Sequence, residues 1–274
     1  MIPEPTEDDE PSLAVRPRRK GIYALPNAIT LGALFSAFYA IVMAMNGRFE
    51  VACVAIFAAA ILDSLDGRVA RMTNTQSAFG EQMDSLSDMV AFGAAPALIV
   101  YMWALKDMGK PGWIPAFVYI AGAALRLARF NVNIGVVDKR YFQGLPSPAA
   151  AAIVMGLIWA VVDRKEYAGV QPGSWIAWVA YGITLFAGLS MVTNAPFYSF
   201  KVFDRRRSVP FIVLVVIMLG IGLAALDPSR VLFGVFCVYG LSGYVIYGWR
   251  KSKGKPVSVI STSTDEPDER GLHQ

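Results

Sequence analysis

The apolar residues of this chain are grouped into repeated runs of roughly 18 to 22 residues, and these runs constrain the fold more than any other feature. A helix of that length can cross the hydrocarbon core of a bilayer, which is about 30 Å thick. Hydrophobic residues make up 55% of the chain and charged residues only 17%, whereas about a quarter of a typical soluble domain is charged. The sequence therefore predicts an all-α, polytopic membrane protein.

The runs predict about eight transmembrane helices, of which the second continues as a helix into residues 67–73. The polar ends, 1–20 and 250–274, are rich in Pro, Ser and mixed charge and are expected to be disordered. The first 20 residues lack an apolar core, so no cleavable signal peptide is expected. The predicted spans are 27–46, 50–66, 83–104, 113–132, 146–162, 174–193, 209–226 and 231–248.

The distribution of basic residues predicts the orientation of the bundle. If both termini are cytoplasmic, nineteen of the 25 Lys and Arg residues lie on the cytoplasmic side and six on the other. This bias agrees with the positive-inside rule. The net charge of +4 is then explained by topology and by attraction to anionic lipids rather than to nucleic acid.

Acidic side chains are concentrated where the second span ends and the third begins, and charges next to a membrane span are costly. At about 100° per residue, the third helix places Gly80, Asp84 and Asp88 on one stripe. If the segment 72–80 turns the chain back, the two helices pack antiparallel and their acidic faces meet. The second helix carries two aspartates and two small residues within one sector, namely Asp63, Asp66, Gly67 and Ala70.

Four carboxylates in one cavity would repel each other, and divalent cations relieve that repulsion. Oxygen ligands without His or Cys suit Mg²⁺ or Mn²⁺. The only histidine is His273 in the C-terminal tail, so any general base is a carboxylate. A carboxylate-lined cation pathway, or charges that lock helices together, would also account for the cluster.

The residues around the aspartates suit a phosphate-containing ligand. Two carboxylate-bridged metals are a recurring device for displacement at phosphorus. The small residues of the second helix leave room for a diphosphate, and Arg71 can pair with its oxygens. Gly80 opens the facing helix, and Ser77 offers a hydroxyl group to a nucleotide.

The full pattern resembles the signature of the CDP-alcohol phosphotransferases, with no departure at any fixed position. It is written Asp63-x-x-Asp66-Gly67-x-x-Ala70-Arg71-x₈-Gly80-x₃-Asp84-x₃-Asp88. The resemblance extends over about residues 20–205. It implies a six-helix core, usually dimeric, with two divalent metals at the cytoplasmic face.

The resemblance also implies roles for the residues of the motif. Asp63, Asp66 and Asp84 would be metal ligands, and Asp88 would be the general base and a further metal contact. The reaction implied is transfer of a phosphatidyl group from CDP-diacylglycerol to an alcohol, with release of CMP. The residues expected around the CDP moiety are Gly67, Ala70, Arg71, Ser77 and Gly80.

Three further stretches resemble the branch of the family whose acceptor is L-serine: "RLARFNVN" (126–133), "FQGLPSPAAA" (142–151) and "MVTNAPFYSFK" (191–201). Arg126 and Arg129 would bind the serine carboxylate, with Asn131 or a backbone carbonyl as hydrogen-bonding partner. Snorkelling of both arginines to lipid phosphates is the alternative.

These observations divide the chain into four segments. Residues 1–20 and 250–274 are expected to be cytoplasmic tails, 21–205 the catalytic core, and 206–249 two additional helices for packing or dimer contact. The expected location is a bacterial inner membrane, and the expected assembly a homodimer. Asn27 and Thr30 are expected to cap the first helix or to line the nucleotide pocket, and capping is favoured.

Other functions remain possible from the sequence. Glycerol 3-phosphate, an inositol compound or choline could replace serine as the acceptor. A phosphorylated acceptor would require more positively charged side chains around its binding site than Arg126 and Arg129. A secondary cation transporter would need charges near the bilayer midplane, and a non-catalytic scaffold would need no base at Asp88.

Overall fold

The computed structural model describes residues 24–132, 141–163, 175–198, 218–220, 222–223 and 225–253. Within these ranges the chain forms eight α-helices and one short two-stranded ribbon. The helices are α1 (Ala24–Met45), α2 (Phe49–Met72), α3 (Ala78–Asp88), α4 (Ala95–Val100), α5 (Trp113–Val132), α6 (Ser147–Val162), α7 (Trp175–Val192) and α8 (Pro228–Ser252).

The prediction of an all-α, polytopic membrane protein is confirmed. Seven of the eight predicted spans correspond to helical segments. Most of the remaining span, 209–226, lies outside the described residues. The N-terminal tail also lies outside them, whereas residues 250–252 continue α8. Five segments in the described ranges are long and apolar enough to cross a membrane: Leu25–Met45, Ala78–Met108, Lys110–Val132, Trp175–Val192 and Pro228–Ser252.

The segment that contains α3 and α4 is one irregular rod. Met89–Ala94 and Tyr101–Leu105 are π-helical, and they separate the α-helical pieces. Two 3₁₀ turns, Lys106–Met108 and Lys110–Gly112, end the rod and lead into α5. Single π turns within helices occur often at functional sites, and the first of these follows directly on Asp88.

The connection between α2 and α3 is short, as the sequence predicts. Asn74 turns the chain with φ 52°, and the backbone N–H of Thr75 donates to Ala70 at 3.0 Å. Helix α1 packs against both α2 and α3, whereas α2 and α3 approach each other closely at few backbone positions.

The interior of the bundle is built from small residues. A Cβ atom on Gly188 of α7 would lie 2.7 Å from Tyr119 Cα of α5, so only glycine permits this approach. Membrane helices associate through such small residues because lipid supplies no hydrophobic driving force between them. Close packing on this side brings α7 against α5, which also contacts the irregular rod.

A two-stranded antiparallel ribbon joins the segment before α6 to the segment after α7. Strand β1 (Tyr141–Gln143) pairs with β2 (Pro196–Tyr198) so that Phe142 lies opposite Phe197. Phe197 is fully buried. Helix α8 packs against α6 and against β2, so the ribbon connects the bundle to its last described helix.

Candidate active site

Three aspartates from two helices converge at one point. Asp63 and Asp66 of α2 and Asp84 of α3 each offer a carboxylate oxygen, and these oxygens lie within 4.8 Å of one another. Asp66 is only 5% exposed. The spacing predicted from the helical period is thus realised in space for these three residues.

Helix α1 supports the aspartate cluster through Thr30. The Thr30 hydroxyl donates to Asp66 Oδ2 at 2.7 Å and also lies 3.1 Å from the carbonyl oxygen of Pro26. The Ser87 hydroxyl donates to the Thr30 carbonyl at 3.4 Å. Three helices are therefore tied together around one carboxylate, and the favoured capping role for Thr30 is wrong: its side chain binds an aspartate of the site.

Replacement of Thr30 by valine tests this support. Valine keeps the shape but removes the donor to Asp66, and loss of an outer-shell partner typically lowers metal affinity about 10- to 100-fold. We expect the Mn²⁺ concentration for half-maximal activity to rise by about that factor. Thr30→Ser keeps the hydroxyl and should restore the original Mn²⁺ dependence; an unchanged dependence in Thr30→Val would contradict the supporting role.

Asp88 lies one turn below Asp84, at the end of α3. Its carboxyl group is hydrogen-bonded to Asp63 and interacts electrostatically with Asp84 and Arg126. Its Oδ1 atom is buried and has no hydrogen-bond partner among the described residues. A buried, unsatisfied carboxylate oxygen is costly, so this atom is suited to a ligand, a metal or a substrate proton.

The π-helical segment after Asp88 is held by a buried tyrosine. The Tyr119 hydroxyl of α5 donates to the Phe92 carbonyl oxygen at 2.9 Å, and both side chains are fully buried. A π turn disturbs the regular i→i−4 hydrogen bonds of the helix, and Tyr119 provides a partner for one carbonyl of that turn. Pro96 has no backbone N–H to donate to the Phe92 carbonyl four residues earlier, so the sequence does contain a signal for this irregularity.

A cavity of about 190 Å³ opens beside the aspartates between α1, α2 and the start of α3. Ser77 caps α3 by accepting a hydrogen bond from the Gly80 N–H at 3.0 Å. A Cβ atom on Gly80 would lie 3.2 Å from Ser77 Oγ and 3.3 Å from Asn27 Oδ1. The cavity is lined by all five residues expected around CDP: Gly67, Ala70, Arg71, Ser77 and Gly80.

The three residues expected to bind the acceptor have different surroundings. Arg126 Nη1 donates to Ser147 Oγ at 2.9 Å, and its buried Nε atom has no partner within the described part of the chain. Asn131 and Ser85 exchange hydrogen bonds at 2.9 and 3.2 Å. Of the three side chains, Arg126 is the one whose charge interacts with Asp88.

The guanidinium group of Arg129 is hydrogen-bonded to backbone carbonyl oxygens around the ribbon. Its Nη2 atom donates to the Gln143 carbonyl at 2.7 Å and lies 3.3 Å from that of Met191, while Nη1 donates to the Val192 carbonyl at 3.1 Å. Nη1 also lies 3.3 Å from Asn194 Oδ1. Since these oxygens occupy its donors, the geometry favours a structural role for Arg129.

The donor set of the cluster fits a hard divalent cation. Several carboxylates with oxygen atoms close together are the ligands that Mg²⁺ and Mn²⁺ prefer. Like charges this close favour ionisation of all members only when a cation neutralises them. The cluster of Asp63, Asp66 and Asp84 therefore has the ligand chemistry to hold a divalent metal.

Comparison with known proteins agrees with this geometry. A family model described as CDP-alcohol phosphatidyltransferase matches residues 23–186. A Helicobacter pylori (strain J99 / ATCC 700824) protein named CDP-diacylglycerol–serine O-phosphatidyltransferase is 34% identical over 224 residues, which cover 82% of this chain and 92% of that protein.

Proteins from two other organisms match over shorter stretches. A Mycobacterium tuberculosis (strain ATCC 25618 / H37Rv) protein of the same name is 36% identical over 187 residues, or 64% of each chain. A Methanothermobacter thermautotrophicus protein named archaetidylserine synthase is 37% identical over 133 residues, which cover 48% of this chain and 56% of that protein.

Proposed function

This chain belongs to the CDP-alcohol phosphatidyltransferase family, and from that membership we propose that it transfers the phosphatidyl group of CDP-diacylglycerol to L-serine, giving phosphatidylserine and CMP. The observation that carries the proposal is the Helicobacter pylori relative, which bears the name of this activity and aligns over most of both chains. The protein is accordingly a membrane transferase of phospholipid biosynthesis.

We propose that Asp88 is the general base. The serine hydroxyl oxygen bonds to the β-phosphorus while the bond from that phosphorus to the CMP oxygen breaks, and the hydroxyl proton passes to Asp88. The buried Oδ1 atom of Asp88, which lacks a hydrogen-bond partner among the described residues, supports this role. Direct displacement requires no covalent phosphatidyl-enzyme.

We propose that Asp63, Asp66, Asp84 and Asp88 hold two divalent cations, Mn²⁺ or Mg²⁺. The convergence of three carboxylate oxygens within 4.8 Å supports the assignment. When bound, such cations neutralise phosphate oxygens and stabilise charge on the leaving group. Thr30 orients Asp66 for this purpose through its 2.7 Å hydrogen bond.

We propose that the cavity between α1, α2 and α3 binds the CDP moiety. Gly67 and Ala70 present no bulk to the diphosphate, and Arg71 pairs with its oxygens. The limited space around Gly80, whose Cβ atom would crowd Ser77 and Asn27, supports its role in keeping the cavity open.

We propose that Arg126 binds the serine carboxylate and that Asn131 lies at the rim of the acceptor pocket. Two observations support the assignment of Arg126: it interacts electrostatically with Asp88, and its buried Nε atom has no hydrogen-bond partner among the described residues. Arg129, for which the sequence predicts the same contact, is assigned instead to holding the ribbon, because its guanidinium donates to backbone carbonyls.

We propose that both termini and the active site face the cytoplasm of a bacterial cell, that the protein resides in the inner membrane, and that it forms a homodimer. The excess of Lys and Arg on one side of the predicted topology supports the orientation. Exposed apolar side chains such as Phe35 and Val238 are available for lipid or for a second copy.

The activity is tested by CMP release from CDP-diacylglycerol with purified protein and Mn²⁺ or Mg²⁺. Serine, glycerol 3-phosphate, inositol and choline are compared as acceptors. We expect release to require both metal and serine, because Arg126, which we assign to the acceptor, suits the carboxylate group of serine. Release with another acceptor would disprove the serine assignment, and release with none would disprove transfer altogether.

A further inference from the structure

The short connection between α2 and α3 contributes a buried hydroxyl group to the cavity that we assign to the CDP moiety. Thr75 belongs to this connection, it is only 6% exposed, and it is one of the residues that line the cavity. It does not occupy a fixed position of the aspartate motif. Thr75 is therefore a polar residue of the cavity to which the motif gives no role.

The hydroxyl groups of Thr73 and Thr75 form a hydrogen-bonded chain with a fixed direction. Thr73 Oγ1 lies 2.8 Å from the carbonyl oxygen of Val69, which can only accept. It also lies 2.7 Å from Thr75 Oγ1. Because each hydroxyl group has one hydrogen, both contacts are satisfied only if Thr73 donates to Val69 and Thr75 donates to Thr73.

The direction of this chain leaves Thr75 Oγ1 as a hydrogen-bond acceptor. A hydroxyl oxygen has two lone pairs, and the hydrogen of this one is already donated to Thr73. Across the part of the chain that the structure describes, Thr73 is the one hydrogen-bonding partner of the Thr75 side chain. The backbone is also held, because the Thr75 N–H donates to the Ala70 carbonyl at 3.0 Å. Thr75 therefore suits a ligand group that donates a hydrogen bond.

Thr75 lies away from the end of the cavity that contains the aspartates. Asp66 and Ala70 both line the cavity from α2, and four residues of an α-helix span about 6 Å. Thr75 follows the end of α2, where its N–H meets the carbonyl of Ala70. If the diphosphate lies beside the aspartates, the opposite end of the CDP moiety, which is the cytosine base, is the part that reaches Thr75.

Cytosine and uracil differ in the group that they would present to Thr75. Cytosine carries a 4-amino group, which donates hydrogen bonds, whereas uracil has a carbonyl oxygen at that position, which can only accept. An oxygen whose own hydrogen is used elsewhere pairs with the amino group but not with the carbonyl. A site built to hydrogen-bond one group rejects the analogue that lacks it, because buried polar groups are then left unpaired.

We propose that Thr75 is a specificity-determining residue of the cavity, whose Oγ1 atom accepts a hydrogen bond from the 4-amino group of cytosine, and that Thr73 keeps this atom an acceptor by taking its hydrogen. This role rests on the proposed function, since it requires the CDP moiety in the cavity, and it deepens that function. The choice of a cytidine over a uridine donor is thereby assigned to two side chains outside the aspartate motif.

Thr75→Val tests the role of Thr75, because valine keeps the shape of threonine and removes the oxygen. The Kd values of CMP, UMP and dCMP are measured by calorimetry on the purified protein with Mn²⁺, so the readout does not depend on turnover. Leaving the amino group unpaired weakens binding about tenfold. We expect the Kd of CMP to rise by about that factor and the Kd of UMP not to rise. Thr75→Ser keeps the hydroxyl and should keep the original Kd of CMP.

Thr73→Val tests the direction of the hydrogen-bonded chain. Without an acceptor at position 73, the Thr75 hydroxyl can turn its hydrogen to the carbonyl oxygen of uracil. We expect the Kd of UMP to fall by about tenfold while that of CMP changes little. The two valine variants thus reduce the preference for CMP by opposite routes. Weakening of CMP and UMP by the same factor in both variants would identify a structural role and overturn the proposal.

Thr193→Val and dCMP are the matched controls. The Thr193 hydroxyl donates to the Ser190 carbonyl at 2.8 Å, and neither residue lines the cavity. The same chemical change at Thr193 should therefore leave all three Kd values unchanged. Because dCMP keeps the amino group and lacks the 2′-hydroxyl, Thr75→Val should weaken dCMP and CMP by the same factor. Weakening of CMP alone would identify the ribose as the partner and overturn the assignment to the base.

The same measurements separate the role of Thr75 from the proposed function. If the unsubstituted protein transfers to serine and prefers CMP to UMP, but Thr75→Val keeps that preference, the role of Thr75 is disproved while the proposed function stands. If the unsubstituted protein binds none of the nucleotides and releases no CMP from CDP-diacylglycerol, the proposed function and the role of Thr75 are both disproved.

Discussion

Replacement of Asp88 by asparagine is expected to lower serine-dependent CMP release by about a hundredfold or more, the usual effect of removing a general base. An amide cannot take up the hydroxyl proton, yet it fills the same volume. One of four neighbouring carboxylates also becomes neutral, so the fold should lose no stability. The measurement is CMP release in detergent or vesicles, with CDP-diacylglycerol binding measured on the same protein.

Asp107→Asn is the control for this change. Asp107 lies in the exposed 3₁₀ turn at the far end of the rod that contains α3, so it undergoes the same chemical substitution away from the site. We expect its activity to equal that of the unsubstituted enzyme. Turnover by Asp88→Asn at the original rate would refute the base assignment. Loss of CDP-diacylglycerol binding would show that Asp88 acts mainly in binding this substrate.

Replacement of Asp84 by asparagine is expected to abolish both turnover and stabilisation by Mn²⁺. A ligand that binds only the folded state stabilises it by about 2.7 kcal/mol at a concentration of 100 times Kd. The unsubstituted protein should therefore melt at a higher temperature with Mn²⁺ than with chelator. In Asp84→Asn this difference should largely disappear, because one of the three convergent carboxylates is lost.

Asp107→Asn again provides the comparison, since it should retain the full Mn²⁺ effect on melting. This measurement does not depend on turnover, so it reports metal binding even in an inactive variant. If Asp84→Asn kept the full stabilisation by Mn²⁺, the metal would have to bind at a site other than the aspartate cluster.

The local arrangement of the motif was predictable from the sequence. The helical period places Asp84 one turn before Asp88, and the polar segment after α2 signals a reversal of the chain. Ser77 begins α3 in the manner expected of a helix cap. These features depend on residues close to each other in the chain, which periodicity and capping rules describe well.

Contacts between distant segments were not predictable. The Thr30 hydroxyl reaches Asp66 across 36 positions, and nothing near either residue indicates the pairing. Arg129 has a charge that suits a substrate carboxylate, but its actual partners are backbone oxygens brought in by the ribbon. An arginine at a helix end has several possible partners, and tertiary packing decides among them.

The close packing of the last helix against α6 and the ribbon was not predicted for a similar reason. The described part of α8 carries no acidic side chain that faces the aspartate cluster, so its apolar sequence suggests only packing. Glycines such as Gly240 and Gly243 could have signalled a close helix approach. They do not say which neighbour is approached, and Phe197 lies far from them in the chain.

Because of the π turn at Met89–Ala94, the side to which Asp88 points depends on the number of residues in the turn rather than on their chemistry. Deletion of one residue within this turn would let a continuous α-helix form and would rotate Asp88 by about 100° relative to Phe92. The apolar part of the span would still fit its buried surroundings, while the carboxylate would leave the site. The alignment of the half that carries the aspartates with the half that is buried in the bundle therefore depends on the number of residues between them. The hydrogen bond from Tyr119 to the Phe92 carbonyl holds the π turn in place.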